Sequence, residues 1–230
     1  MKIVSLFSGA GGLDKGFEAA DFKTVWANEY DKEIWETFAR NFPDTKLDKR
    51  SIRDVPSSEI PACDGIIGGP PCQSWSEAGA LRGIKDKRGQ LFFEFIRVLR
   101  DKKPKFFLAE NVSGMLASRH ANALENIKKL FTDSGYILSF SLLNAVDYGV
   151  PQDRKRIFFV GIRKDLNFAF EFPKPIRTKR FLKDVIADIQ DNVLSAKEKN
   201  YSNNDNCHLP NHEYMIGSFS TIYMLSLIHI

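Results

Sequence analysis

Residues 2–12 read KIVSLFSGAGG, a short apolar run that breaks into a turn carrying three glycines. An unbroken apolar run of this length marks a strand covered on both faces. Glycines directly after it let the chain turn sharply and let a ligand approach the backbone. The next stretch, 12–20, is amphipathic and long enough for a helix. Strand, glycine turn and helix in that order open a doubly wound α/β domain.

The pattern recurs to about residue 163. Strands are expected at 2–7, 23–28, 65–68, 106–110, 137–143 and 157–162, and helices at 12–20, 33–42, 91–100 and 121–134. This alternation predicts an α/β fold with a mostly parallel sheet and helices on both faces. The last two strands, joined by a short polar connection, are expected to pair antiparallel at the sheet edge. After Arg163 the character changes. Pro173 and Pro175 lead to one expected helix at 182–189 and the polar stretch 200–211, the composition of a linker entering another region. The expected division is 1–175 and 176–230.

With 230 residues and 43% hydrophobic content the chain can bury the core of one sizeable domain, which excludes a disordered chain. Thirty-three Lys and Arg against 29 Asp and Glu give a net charge of +4, which permits a polyanionic partner without requiring one. No apolar run is long enough to span a bilayer, and Met1-Lys2 leads straight into the first strand without the features of a leader. Cys63, Cys72 and Cys207 have no CxxC spacing, so neither a disulfide framework nor a zinc site is indicated, and a reducing, cytoplasmic compartment fits.

Four constellations carry chemistry. The first strand ends in Phe7-Ser8-Gly9-Ala10-Gly11-Gly12 and the second in Asn28-Glu29. An acid after the second strand can bind both hydroxyls of a ribose, so a nucleoside cofactor is expected. A dinucleotide fingerprint needs glycine at position 14, where Asp14 stands, and a carboxylate there would repel a pyrophosphate. A cofactor without phosphates, such as S-adenosylmethionine, meets no such objection. An ordinary tight turn would use the same glycines.

The second constellation is Gly68-Gly69-Pro70-Pro71-Cys72-Gln73, after the apolar Ile66-Ile67. The prolines stiffen the turn and hold Cys72 at the strand's carboxyl end, where open α/β sheets bind ligands. A lone cysteine is ordinarily a small packing residue, the reading given to Cys63 and Cys207. Cys72 stands apart as a candidate nucleophile because of its rigid loop. The third, Phe106-Phe107-Leu108-Ala109-Glu110-Asn111-Val112, delivers the carboxylate of Glu110 to the same edge. The fourth is Gln152-Asp153-Arg154-Lys155-Arg156, in which alternation on an extended segment would put Gln152, Arg154 and Arg156 on one face, to hold phosphates or buttress a carboxylate.

Taken together and in this order, the four stretches resemble the conserved blocks of the DNA cytosine-5 methyltransferase family, closely over about residues 1–163 and more weakly beyond. The resemblance implies a Rossmann-like S-adenosylmethionine-dependent methyltransferase fold acting on double-stranded DNA as a monomer, with no metal. It implies that Cys72 is the nucleophile, that Glu110 holds the N3 edge of cytosine and that Arg154 sits by the base as the third catalytic residue. Phe7, Ser8, Gly9, Gly11, Gly12 and Pro70 would line the cofactor site, with Glu29 on the ribose and Leu91 against the cofactor. Where many members carry an acid after the third strand for the adenine amino group, this chain reads Lys49-Arg50-Ser51-Ile52. Ser51 is the uncharged counterpart there, and Asp64 is a further candidate near the adenine.

Residues 65–94 are most similar to bacterial and phage enzymes of the GGCC-recognising group. Members of the family continue through a target-recognition region and a Gly-Asn-x-Val block. Neither is complete here, Pro210-Asn211-His212-Glu213-Tyr214 being a possible start of the first, so a truncated chain is expected. Three alternatives stand beside the main reading. A cofactor-binding fragment without activity is one. A transfer RNA cytosine-5 methyltransferase is disfavoured by Ser113-Gly114-Met115 after Val112. A nicotinamide-dependent dehydrogenase is disfavoured by Asp14 and the Cys72 loop.

Overall fold

A computed structural model describes residues 1–71, 89–176, 180–182 and 185. Cys72, Cys207, most of the helix expected at 182–189 and the polar stretch 200–211 lie outside the described residues. One compact unit comprises Met1–Leu143 and Lys155–Lys174, and Asn144–Arg154 belong to a second.

Seven strands form one sheet: β1 (Lys2–Leu6), β2 (Lys23–Asn28), β3 (Lys46–Asp48), β4 (Gly65–Gly68), β5 (Phe106–Val112), β6 (Tyr136–Asn144) and β7 (Lys155–Arg163). Their order is β3-β2-β1-β4-β5-β7-β6. The pairs β1–β2, β1–β4, β2–β3 and β4–β5 are parallel, whereas β7 runs antiparallel to β5 and lies beside the edge strand β6. The mostly parallel sheet expected from the alternation is the one observed. β3 was not among the expected strands, because three residues are too few for a periodic signal.

The helices are α1 (Gly12–Ala19), α2 (Trp35–Asn41), α3 (Gly89–Lys102) and α4 (Ala121–Asp133). Their apolar spacing explains their packing. Phe92, Phe95, Ile96 and Leu99 recur at helical intervals along α3 and are fully buried, as are Ile127 and Phe131 one turn apart on α4. Consecutive residues of β5 show that both faces of the sheet are covered. Phe106 stacks on Phe17 of α1 at 6.2 Å between ring centroids. Phe107 points the other way, onto Phe131 of α4 at 4.4 Å.

Asp14, in the first turn of α1, is completely buried. The expectation that its carboxylate would repel a bound pyrophosphate therefore does not hold. Its carboxylate turns into the core, where it accepts hydrogen bonds from Ser5 Oγ on β1 at 3.0 Å and from Thr24 Oγ1 on β2 at 3.1 Å. Burial outweighs these two bonds and raises its pKa from 3.8 to about 6. An acid whose pKa is higher in the folded state contributes stability that is complete below about pH 4 and lost as pH rises through about 6. That loss amounts to about 3 kcal/mol. Relative to Asp14→Asn, the parent should therefore weaken by about this amount between pH 4 and pH 7 in denaturant titrations. Parallel pH profiles for the two proteins would contradict it.

Candidate active site

In the order β3-β2-β1-β4-β5 the chain winds outward in both directions from β1 and β4, and the crevice beyond the carboxyl ends of those two strands is the ligand-binding position of such sheets. Two of the sequence constellations leave the sheet there. The turn after β1 holds Phe7, Gly9 and Gly11 in the left-handed region, with φ of 55°, 55° and 87°. For Phe7, which has a Cβ, this costs on the order of 1 kcal/mol, a strain of the kind stored at functional turns. Gly11 is required twice over, since besides its φ a Cβ there would lie 2.2 Å from the ring of Phe42. At Gly9 a Cβ would meet nothing within 4 Å, so the backbone faces open space.

Glu29 follows β2 on the same edge and is half-buried. Its carboxylate is held from two sides: Gly9 N–H donates to Oε2 at 2.8 Å and Asp31 N–H to Oε1 at 2.8 Å. A carboxylate has about four acceptor positions, so two remain for hydroxyl donors. The buried amide of Asn28 donates to the carbonyls of Asp48 and Arg50 at 3.1 and 2.8 Å, tying the end of β2 to the turn after β3. Ser51 lies in that turn and accepts from Arg53 N–H at 3.4 Å. Arg97 of α3 anchors the segment beyond it by donating to the carbonyls of Ile52 and Val55, both at 3.0 Å. Ser8, Gly12 and Glu29 therefore share the carboxyl edge with Ser51, and Tyr30, 73% exposed beside Glu29, adds an aromatic face that sequence reasoning passed over.

Asp64 is not part of this arrangement. It precedes β4 instead of following it, at the amino edge of the sheet, where it accepts from Lys2 N–H at 2.9 Å and pairs with Lys105 Nζ at 2.8 Å. Those partners hold its pKa below the usual carboxylate range. The expectation that it lies near the adenine is corrected accordingly: four residues of strand separate it from the edge that carries Glu29. Cys63, next to it, packs against the core, and burial pushes its thiol up to about 11, as befits a packing cysteine.

The turn after β4 begins at Gly69-Pro70-Pro71. In the β4–β5 register Gly68 faces Ala109, which brings Gly69 beside Glu110. A Cβ at Gly69 would lie 3.4 Å from Glu110 Oε2, in ordinary van der Waals contact, so the carboxylate lies against this turn. Glu110 is fixed by Arg156 of β7, whose Nε lies 2.8 Å from Oε1, with both side chains about one-quarter exposed. In the antiparallel register Glu110 faces Phe158 and Val112 faces Arg156, so the ion pair is a diagonal contact on one face. Pro70 is buried, and its carbonyl accepts from Asn111 Nδ2 at 2.9 Å. Leu91 lies in the first turn of α3, half-buried against the core, as Phe7 is.

The fourth constellation does not behave as one extended face. β7 starts only at Lys155, and before it Gln152 N–H bonds to Val150 O at 2.8 Å and Arg154 N–H to Gln152 O at 3.0 Å, bonds of tight turns. Alternation therefore places Arg156 but says nothing of Gln152 or Arg154, which belong to the second compact unit.

A family model described as C-5 cytosine-specific DNA methylase matches residues 1–224. The chain is 60% identical over 227 residues to the Type II methyltransferase M.FnuDI of Fusobacterium nucleatum, covering 97% of this chain and 66% of the relative. It is 56% identical over 229 residues to the Type II methyltransferase M.NgoPII of Neisseria gonorrhoeae, covering 97% and 67%. The chain thus spans about two thirds of the length of the curated relatives it matches. Among solved structures, a DNA modification methyltransferase encoded within an E. coli prophage superposes with a TM-score of 0.70 at 31% identity, covering 81% of this chain and 54% of that one. Spodoptera frugiperda DNMT2 gives 0.62 at 26%, covering 78% and 56%. The fold is the Rossmann-like fold of S-adenosylmethionine-dependent methyltransferases.

Proposed function

The chain belongs to the C-5 cytosine-specific DNA methylase family, and from that premise we propose that it transfers a methyl group from S-adenosylmethionine to C5 of a cytosine in duplex DNA, with Cys72 as nucleophile. The observation that carries this reading is the convergence at one sheet edge of the Glu29-braced glycine turn and of Glu110, held by Arg156 at 2.8 Å beside the turn that leads to Cys72. Residues 1–175 form the catalytic and cofactor-binding domain, and 176–230 a linker and the start of a target-recognition region. The protein acts as a monomer in the cytoplasm. Among the described residues no helix is long and apolar enough to cross a membrane.

The residues present fit the cofactor. The two acceptor positions left on Glu29 suit ribose hydroxyls and the open backbone at Gly9 admits a ligand; on this reading Phe7, Ser8, Gly11, Gly12, Ser51, Pro70 and Leu91 would line the cofactor site. S-adenosylmethionine supplies an activated methyl group. The Cys72 thiolate adds at C6 of the base, which makes the ring enamine-like and turns C5 into a nucleophile. Glu110 holds the proton at N3 and so stabilises the charge that develops as the thiolate adds. Arg156 keeps that carboxylate aimed. Loss of the C5 proton and of the thiolate restores the ring. The base must leave the stack to be reached, at a cost of roughly a few kcal/mol.

Glu29→Ala is expected to raise the Kd for S-adenosylmethionine by about 10- to 100-fold, the loss of one charge-assisted hydrogen bond or more. Equilibrium binding measures it, and an unchanged Kd would refute the ribose role. The target is a GGCC-type palindrome, a reading supported by the resemblance of residues 65–94, and the biological setting is restriction-modification. Transfer of labelled methyl groups to duplexes with intact or scrambled GGCC tests both activity and target. Incorporation confined to GGCC is expected, and incorporation without preference would reject the target. A second reading, a chain that binds the cofactor without transferring its methyl group, rests on the two-thirds coverage of the relatives. It predicts retained binding and no incorporation.

A further inference from the structure

We propose that Trp35 is a positioning residue for the cofactor: its indole N–H holds the backbone of Glu29 in the orientation that presents the carboxylate to a ribose. The inference rests on the ribose role proposed for Glu29, and its physical basis is a gap in the sheet ladder at that residue. Glu29 follows β2 and still pairs with β3 on its donor side, since its N–H donates to Asp48 O at 3.1 Å. In a parallel ladder the carbonyl of the same residue accepts from the N–H two positions further along the neighbouring strand, which here is that of Arg50. That donor is diverted: Arg50 N–H bonds to Oδ1 of Asp48 at 3.0 Å. The Glu29 carbonyl is left without its ladder partner, and Trp35 Nε1 donates to it at 2.8 Å.

The indole is itself held in place. Trp35 is the first residue of α2 and is half-buried, and Lys49 Nζ lies over its ring at 4.9 Å from the centroid. An indole nitrogen donates and never accepts, so the contact has one polarity and suits a carbonyl. With the N–H of Glu29 fixed from β3 and its C=O fixed from α2, the peptide planes on both sides of its Cα are set, and with them the direction in which the side chain leaves. The carboxylate then meets Gly9 N–H and Asp31 N–H, both at 2.8 Å, and keeps its remaining acceptor positions for the cofactor. Without the indole donor the peptide after Glu29 is free to rotate, and the carboxylate is no longer presented in one orientation.

Trp35→Phe keeps an aromatic face for Lys49 and deletes the donor. Equilibrium binding of S-adenosylmethionine to the full chain is measured for the parent, Trp35→Phe, Glu29→Ala and the double variant, because a residue that acts through the Glu29 carboxylate loses its effect once that carboxylate is gone. Trp35→Phe is expected to raise the Kd about tenfold in the parent, the loss of one hydrogen bond, and to change it by less than about twofold in the Glu29→Ala background. A rise by the same factor in both backgrounds marks Trp35 as merely structural and overturns the proposal, as does an unchanged Kd in the parent. If Trp35→Phe does not fold, replacement of Trp35 by benzothienylalanine, which puts sulfur in place of the indole N–H at nearly the same shape, carries the same comparison. A Kd that Glu29→Ala leaves unchanged refutes the ribose reading, and the positioning role falls with it. That variant retains Trp35, so the two failures are told apart.

Discussion

Cys72→Ser abolishes methyl transfer, by on the order of 10⁴-fold or more, the scale on which removing a nucleophile acts, while the Kd for S-adenosylmethionine stays within about twofold. The asymmetry follows from where the groups lie. The cofactor turn is braced by Glu29 after β2 and by the left-handed residues after β1. A serine hydroxyl is far less acidic than a thiol and forms little of the anion that adds to C6. Steady-state transfer assays beside calorimetric cofactor titration measure both quantities. Retained transfer in the serine variant would sink the covalent route, and lost cofactor binding would place Cys72 in the cofactor pocket instead.

Glu110→Gln should lower kcat by about 10²- to 10⁴-fold, the range for removing a positioned acid–base group, with KM for the cofactor little changed. The amide is nearly isosteric but cannot hold a proton at N3. It also leaves the Arg156 guanidinium without its anion. Since both side chains of that pair are about one-quarter exposed, the accompanying loss of stability is within about 1 kcal/mol, and thermal denaturation separates it from the kinetic effect. A glutamine variant with full kcat would show that N3 needs no proton from this residue.

Much of this arrangement is legible in the residues themselves. The apolar runs ending in Gly9-Ala10-Gly11-Gly12 and in Gly69-Pro70-Pro71 identify strands and the edge at which they stop, because glycine and proline interrupt a ladder for steric reasons that need no tertiary context. What was misread depended on direction and on side-chain aim. Asp64 adjoins β4 in sequence, yet it precedes the strand, and in a parallel sheet that puts it at the far edge from the site. The exclusion of a pyrophosphate by Asp14 supposes a carboxylate that faces the glycine turn, whereas Asp14 points toward Ser5 and Thr24. Arg154 and Arg156 seemed equivalent under alternation, but the strand begins between them, at Lys155. The register of β5 against β7, a contact between segments some fifty residues apart, is what brings Arg156 to Glu110, and no local pattern carries that information.

The central claim is that Cys72 forms a bond to the target base. Incubation with S-adenosylmethionine and a duplex carrying 5-fluorocytosine within GGCC, followed by denaturation, proteolysis and mass mapping, tests it most directly, because fluorine at C5 blocks the final elimination. A denaturant-stable complex whose crosslinked peptide carries the nucleotide on Cys72 is the result expected. Methyl transfer to ordinary GGCC duplex with no trapped complex, or a crosslink at any other residue, would contradict it.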